Sequence, residues 1–455
     1  MLILLSDGAG LTARQCATVL ARNGYQVEAL CPAGLCLARM TRHVRQVHPV
    51  PAIGRDPFGW LDAALGIAAR RRAGLLLPVQ EQVAVMSLAR HRIEAAGLAT
   101  AVPDFGALAQ VQDKVSAFST LTRLGLPQPP AVLAATAAEL AGAELAGAEL
   151  GWPVFVKTPI GTASAGIRRV TSREALRQLA ADYERQGVFG GAAPDGRVLD
   201  GGGVLVQQAV AGPLVMVQSV FCRGELVASH ACQRVREGAS GGASHKVGLD
   251  LPEAREHLAR LGAALGWHGA LSADVILSPA GIQFIDINPR LVEPVNALDS
   301  GVDLVRALVE VARSGTSRPQ PASEVRPGAR THQLLLAILG AAQHGGRRGV
   351  ARELRDGLLH RGDYRDSHEE LTPGGGDLMA GLPVALTALA TLVRPAAWRY
   401  LTSGGVGAYS LSPAAWEELR RAAAGAGALD VPAPAGTLAI PPGRRGRRAR
   451  RRSRA

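Results

Sequence analysis

The sequence predicts a chain that begins as α/β, continues as α+β and ends in helices. Three observations carry this. Short apolar runs alternate with helical patterns up to about residue 105. Paired strand patterns with tight turns run from 154 to 287. Beyond about 316 the texture is helical with glycine-rich breaks.

Leu2–Leu5 reads as a buried strand that breaks into Asp7, Gly8 and Gly10. That break, and the lack of a basic first segment, excludes a signal peptide. A helix is predicted over Ala13–Asn23, with Gly24 at its stop, then strands at Val27–Leu30 and around Gly74–Pro78. Alternation of this kind implies a parallel sheet with helices on both faces. Gly8 and Gly10 lack the GxGxxG spacing, so no dinucleotide site is assigned there.

From Asp113 the pattern changes. Asp113-Lys114 opens an amphipathic helix ending near Gly125. The tandem Ala-Gly-Ala-Glu-Leu units over residues 141–150 suit a lengthened surface helix and are too short for a solenoid. Strands follow at Val154–Lys157 and Val204–Gln207, with a predicted hairpin of Val215–Phe221 and Glu225–His230 around Arg223-Gly224. After a helix over Pro252–Leu265, strands at Ala270–Leu277 and Gly281–Ile287 flank the turn Pro279-Ala280-Gly281. Pro319, Pro321 and Pro327 mark a linker. The uncharged stretch Leu378–Val393 contains Pro383, is too short to span a bilayer and reads as a buried helix, with a membrane-surface helix as the alternative.

The 455 residues allow roughly two to four domains. The five cysteines, at 16, 31, 36, 222 and 232, form no regular framework, as expected of reduced thiols in a cytoplasmic protein. Cys31 and Cys36 could in principle hold a metal, but no second Cys/His pair lies nearby, which argues against it. Of the net charge of +12, the eight arginines of residues 443–455 supply +8 and the body only +4. Such a tail reads as disordered, able to bind nucleic acid or an anionic membrane without specificity.

Chemistry concentrates in Phe284-Ile285-Asp286-Ile287-Asn288-Pro289-Arg290. Period-2 alternation places Phe284, Asp286 and Asn288 on one face and sends Ile285 and Ile287 into the core. Asp286 and Asn288 are hard oxygen donors of the kind magnesium takes, and Asp274 on the preceding strand could supply a second carboxylate. Arg290 lies where a guanidinium reaches a phosphate or carboxylate. The competing reading makes Asp286 and Asn288 loop caps. Lys157 is followed by the small-residue loop Gly161-Thr162-Ala163-Ser164-Ala165-Gly166, whose backbone N–H groups could approach phosphates closely. Taken alone, Lys114 is also readable as a solvated helix-start lysine. His230 reads as a packed strand residue.

In this order the pieces resemble the ATP-grasp superfamily, specifically its carboxylate–amine ligase-like members. The resemblance covers roughly residues 1–310. It rests on Asp113-Lys114, Val156-Lys157 with its loop, Leu205-Val206-Gln207-Gln208, Gln233-Arg234-Val235-Arg236-Glu237 with Gly241-Gly242-Ala243-Ser244, Asp274, and Asp286-Ile287-Asn288-Pro289-Arg290. It implies a doubly wound N-terminal domain over 1–112 and an ATP-grasp domain of two α+β lobes over 113–315; the helical texture and the arginine-rich composition beyond add a helical C-terminal region over 316–430 and a disordered basic tail over 431–455.

It also implies ATP and Mg2+ (or Mn2+) as cofactors. The implied phosphate contacts are Lys114, Lys157, Gly161, Ser164 and Gly166. Gln207, Gln208 and Val210 are the implied adenine contacts, and Asp274, Asp286 and Asn288 the metal ligands. Arg234, Arg236 and Arg290 are candidates to hold an acyl phosphate and a substrate carboxylate, with Ser244 and His245 lining the same cleft. The chain departs from the family in having Asp286 where Glu is commoner and no Glu beside Gln208. The implied activity is ADP-forming activation of a small carboxylate for attack by an amine. Homo-oligomerisation is compatible with this. The other readings are a carboxylase or phosphotransferase of the same superfamily, or a non-catalytic nucleotide-binding protein.

Overall fold

Strands β1 (Leu2–Leu5), β2 (Gln26–Cys31), β3 (Val47–Pro49) and β4 (Leu75–Leu77) form a parallel sheet in the order β3-β2-β1-β4. The structure is a computed structural model describing residues 1–34, 36–142, 150–162, 165–189, 203–315, 326–372 and 377–425. Leu4, Leu30 and Leu76 face one apolar cluster, while Ile3, Leu5 and Ala29 face another. Burial on both faces is what helices covering a parallel sheet require. The helix predicted from Ala13 starts earlier, at Leu11, and runs to Arg22. Its N-cap, Gly10, has no side chain to cap it. Gly24 beyond its end takes φ +79°, the left-handed conformation glycine tolerates best.

A second sheet, order β5-β8-β6-β7, is built from β5 (Ala131–Ala134), β6 (Val154–Lys157), β7 (Ile167–Val170) and β8 (Val204–Gln208), all antiparallel. Val154, Val156, Val204 and Val206 face the helix Arg173–Arg185 and bury Leu176 and Ala180. Alternation therefore leaves Phe155 and Lys157 on the other face. The tandem repeat lies largely outside the described residues.

The third sheet holds seven strands: β9 (Leu214–Cys222), β10 (Glu225–Glu237), β11 (Ala243–Leu249), β12 (Gly269–Ser278), β13 (Gly281–Asn288), β14 (Arg330–His332) and β15 (Ser367–Glu369). Their order is β13-β12-β9-β10-β11-β14-β15, antiparallel except for the parallel pair β14–β15. The hairpin at Arg223-Gly224 has positive φ at both residues, 50° and 91°, which matches the strand twist. β10 runs seven residues beyond the expected end at His230, because β11 pairs with its far half.

Two expectations about the C-terminal region are corrected here. It is not helical alone: β14 and β15 extend the seven-stranded sheet. Nor is the Leu378–Val393 stretch a buried helix. The helix Leu382–Val393 turns Val384, Ala388 and Leu392 onto the helix Leu334–Leu358, while Leu386, Leu389 and Val393 stay 51%, 61% and 65% exposed. The helix Ala397–Tyr409 follows, and the helix Pro413–Gly425 returns to the N-terminal region, where Trp416 packs on Phe105 with ring centroids 5.5 Å apart. No described helix is long and apolar enough to cross a membrane. The basic tail lies outside the described residues.

Candidate active site

The β12–β13 hairpin carries the candidate acids, and a bulge aims them. Asp274 pairs with Asp286, but Val275 pairs with Phe284, so Ile285 is left without a partner across the ladder. One extra residue re-aims every side chain beyond it. Strict alternation had placed Phe284 beside Asp286 and Ile285 in the core. The structure reverses both. Ile282, Phe284 and Ile287 are buried in the core, whereas Ile285, Asp286 and Asn288 line a cavity of about 1190 Å³.

Asp274 and Asp286 are cross-strand neighbours inside this cavity. Burial first, and the Asp286 charge second, push the Asp274 carboxyl up to about 7. Two carboxylates held together in poor solvent call for a cation. Among the described residues no three His, Cys, Asp or Glu side chains gather into a metal cage. The donors suit magnesium: two carboxylates and the Asn288 amide, with the remaining positions left to water and phosphate oxygens.

Two lysines flank the pair. Lys157, on the cavity face of β6, donates its Nζ to the unpaired Ile285 carbonyl at 2.6 Å. Burial lowers its pKa to about 8, against the pull of Asp286. Lys114, N-capped by Asp113, places its Nζ 3.8 Å from Asp286 Oδ1 and 3.1 Å from the Gly161 carbonyl. In the loop after β6, a Cβ at Gly161 would strike the Ala165 carbonyl, and one at Gly166 the Thr158 hydroxyl. Ser164 lies outside the described residues. Gly161 lines the cavity and Gly166 does not. At the far wall stand Gln207, Gln208 and Val210, the Gln208 amide held by the Leu150 carbonyl at 2.5 Å.

Arg290 and Arg234 also line the cavity. Arg290 Nε is 3.4 Å from Glu81 Oε1, and Ser272 Oγ donates to the Arg290 carbonyl at 2.6 Å. Arg234 donates to the Gly241 carbonyl at 2.7 Å and pairs with Glu237 at 3.2 Å. Lys157, the two glutamines, the acids and the two arginines thus line one space, and Lys114 reaches its edge through Asp286 and Gly161.

No protein-family model matches the chain, and neither does any curated protein. Solved structures do. A biotin carboxylase from Campylobacter jejuni, solved as a β,γ-ATP complex, is 18% identical with a TM-score of 0.56, over 72% of this chain and 74% of that one. The biotin carboxylase domain of the Hydrogenobacter thermophilus 2-oxoglutarate carboxylase, with MgADP and bicarbonate, is 18% identical with a TM-score of 0.55, over 72% and 73%. An L-amino acid ligase from Bacillus licheniformis is 16% identical with a TM-score of 0.51, over 73% and 79%. The chain has the ATP-grasp fold.

Some expected members of the ATP-grasp cleft lie elsewhere. Arg236 does not face it: its guanidinium pairs with Glu353 and with Asp363 at 3.4 Å, and lies 5.7 Å from the Tyr364 ring centre. Nor does His245, which stacks on the His332 ring, meets the Tyr364 ring edge-on and is driven down to about 3 by burial. Ser244 donates to the Arg236 carbonyl at 3.1 Å, away from the cleft. The physical reason is the irregular register between β10 and β11 at Arg234, Arg236 and Glu237, which turns Arg236 toward the C-terminal region. His230 is packed as expected, against the Asn296 amide oxygen at 2.8 Å.

Other residues escaped the sequence reading. Fully buried Lys246 contacts Glu293 at 2.5 Å and Glu370 at 2.6 Å. Gln333 donates to the same two carboxylates at 2.6 Å, Gln15 to Glu370 at 2.8 Å, and Thr331 to Glu370 at 2.6 Å. This hub joins the first helix, β11 and the C-terminal region, and it fixes Glu293, at φ +54°, on the cavity wall. Asp7 accepts from the Ala9 and Gly10 amides at 3.1 and 2.8 Å and shapes the loop that brings Gly10 and Thr12 to the same wall. Gln80 lines it too, with its buried Oε1 lacking a protein partner. Only an Asp-Gly-Ala-Gly loop after the first strand hinted at this wall.

Proposed function

We propose that this chain is an ATP- and magnesium-dependent ligase that activates a substrate carboxylate as an acyl phosphate for attack by an amine, releasing ADP. The observation that carries the reading is the convergence of Asp274, Asp286, Asn288, Lys157 and Arg290 on one cavity. Asp274, Asp286 and Asn288 would hold magnesium, which neutralises phosphate charge and orients the reacting oxygens. Lys157 is anchored to a bulged carbonyl and Lys114 to a glycine carbonyl, so both ammonium groups are positioned before ATP arrives. Gln207, Gln208 and Val210 form the wall for the base.

A carboxylate oxygen attacks the terminal phosphorus of ATP, and the bond to ADP breaks. The amine nitrogen then attacks the acyl carbon, phosphate leaves and the amine gives up a proton. Arg290 and Arg234 can hold the anionic oxygens through both steps. Glu293 and the unpartnered Gln80 oxygen, toward the N-terminal domain, offer acceptors suited to an amine. No side chain need form a bond to substrate, so positioning and charge carry the rate.

ADP release screened over carboxylate–amine pairs, with mass identification of the product, tests this. An amide product with one ADP per turnover is expected. ADP release with a carboxylated or phosphorylated product would assign the chain to the superfamily's other chemistries, which the likeness to biotin carboxylases keeps in view. No turnover with any pair would leave a nucleotide-binding protein.

A further inference from the structure

The cavity is larger than phosphate chemistry needs, and its second half is apolar. At about 1190 Å³ it exceeds the roughly 300–1000 Å³ usual for one drug-sized ligand. Beyond Arg290 and Arg234 it is walled by the helices Leu382–Val393 and Ala397–Tyr409 and by Leu335, Leu336 and Leu339. Those two helices contribute no charged lining residue, and Arg394, between them, is the one charged residue beside them on the cavity.

The helix Leu382–Val393 is built inside out for a core helix. Its buried residues include Thr391, which returns its hydroxyl to the Thr387 carbonyl at 2.7 Å. Leu386, Leu389 and Val393, at helical spacing, are more than half exposed and line the cavity instead. Large apolar side chains turned away from the core and into a cleft mark a binding surface.

Both guanidinium groups line the same cavity as this wall. Arg234 is tied to the Gly241 carbonyl, and the neighbouring Gly242 lies against Leu336, where an added Cβ would sit 3.4 Å from Leu336 Cδ1. Arg290 shares its end of the cavity with Gly10, where an added Cβ would sit 3.3 Å from Tyr409 Cε1. A carboxylate gripped there has its carbon skeleton beside the helices.

We infer that the carboxylate substrate carries a large apolar group, a hydrocarbon chain or an apolar side chain, and that this acyl portion occupies the cavity half formed by Leu386, Leu389, Val393 and Leu401. This rests on the ligase reading above. It assigns the C-terminal helices a role in substrate choice.

Hydroxylamine intercepts an acyl phosphate whatever the natural amine is: its nitrogen attacks the carbonyl, phosphate leaves and a hydroxamate forms. The full chain, with MgATP and excess hydroxylamine, is assayed on straight-chain carboxylates from acetate to decanoate, and separately on Gly, Ala, Leu and Phe. The expected result is hydroxamate formation whose kcat/KM rises up to about fourfold per added methylene in the productive series. The productive series tells a chain from an amino-acid side chain. Leu389→Asp should flatten that slope, and the milder Leu389→Ala, with its melting temperature checked, should reduce it.

Hydroxamate from short polar carboxylates without length dependence would overturn the inference and leave the ligase reading intact. Calorimetric binding of decanoate or leucine, lost in Leu389→Asp, without any hydroxamate would instead sink the ligase reading, and with it the substrate role given to this pocket. If Leu389→Asp alters only sedimentation with phosphatidylglycerol vesicles, or converts a dimer to a monomer, the apolar face serves a membrane or a second copy and the inference is wrong.

Discussion

The two ends of the cavity are built by opposite means. At the phosphate end, charged side chains are held in place by partners: Lys157 by the Ile285 carbonyl, Lys114 by the Gly161 carbonyl and Asp286, Arg290 by Glu81, and Glu293 by Lys246 and Gln333. At the other end, Leu386, Leu389 and Val393 touch the cavity on a helix anchored by its opposite face. Fixed charges hold a phosphoryl group in one geometry, because an ion pair in poor solvent loses much when displaced. An apolar wall accepts many shapes, since its attraction follows the area covered and not the direction of contact. On the ligase reading proposed above, one end would define the reaction and the other the substrate.

Four measurements break or sharpen this contrast. The largest effect is expected at the hub. Lys246→Met leaves Glu293 and Glu370 facing each other in the interior, so unfolding free energy should fall by about 3–5 kcal/mol in urea titrations. A loss under about 1 kcal/mol would mean the hub does not hold the phosphate end together. Next, Asp286→Asn should lower kcat on the order of 10²-fold or more with circular dichroism unchanged. Near-wild-type turnover in the folded variant removes the acid pair from the mechanism.

The third effect is a pH dependence. The Asp274 carboxyl is raised to about 7 in the folded chain from an ordinary value of 3.8. Between those values the folded state binds the extra proton, so this group makes stability fall as pH rises from about 4 to about 7. In chelator-containing buffer, Asp274→Asn should remove that decline and leave the variant more stable than wild type at pH 8. Parallel stability–pH curves for the two proteins would contradict it. The smallest effect belongs to the apolar end, where Leu389→Ala should change stability by no more than about 0.5 kcal/mol. A much larger loss would show that Leu389 is core, and the contrast between the two ends would close.

How legible the site was follows the same division. Lys157, Asp274, Asp286, Asn288 and Arg290 were marked in the sequence by a strand end or an acidic break in an apolar run, whereas Lys114, Gln207, Gln208 and Arg234 were marked only by the resemblance to the ATP-grasp superfamily. Arg236 and His245 carried similar local signals and went to the C-terminal region, because strand register decides which way a residue points. Lys246, Glu293 and Glu370 were not legible, since their partners lie 47 and 124 residues apart along the chain.

By itself, then, the sequence determined the α/β start, the strands and turns of the paired sheets, and the residue types of the phosphate end. These follow from periodicities of two and 3.6 residues and from turn chemistry, which act over a few neighbours. Only the tertiary structure decided three things: the bulge that exchanges Ile285 for Phe284 at the cavity, the hub around Lys246, and the turning of the leucines of Leu382–Val393 toward a cleft. Each depends on which distant strand or helix lies opposite, and that is settled by global packing, not by local propensity.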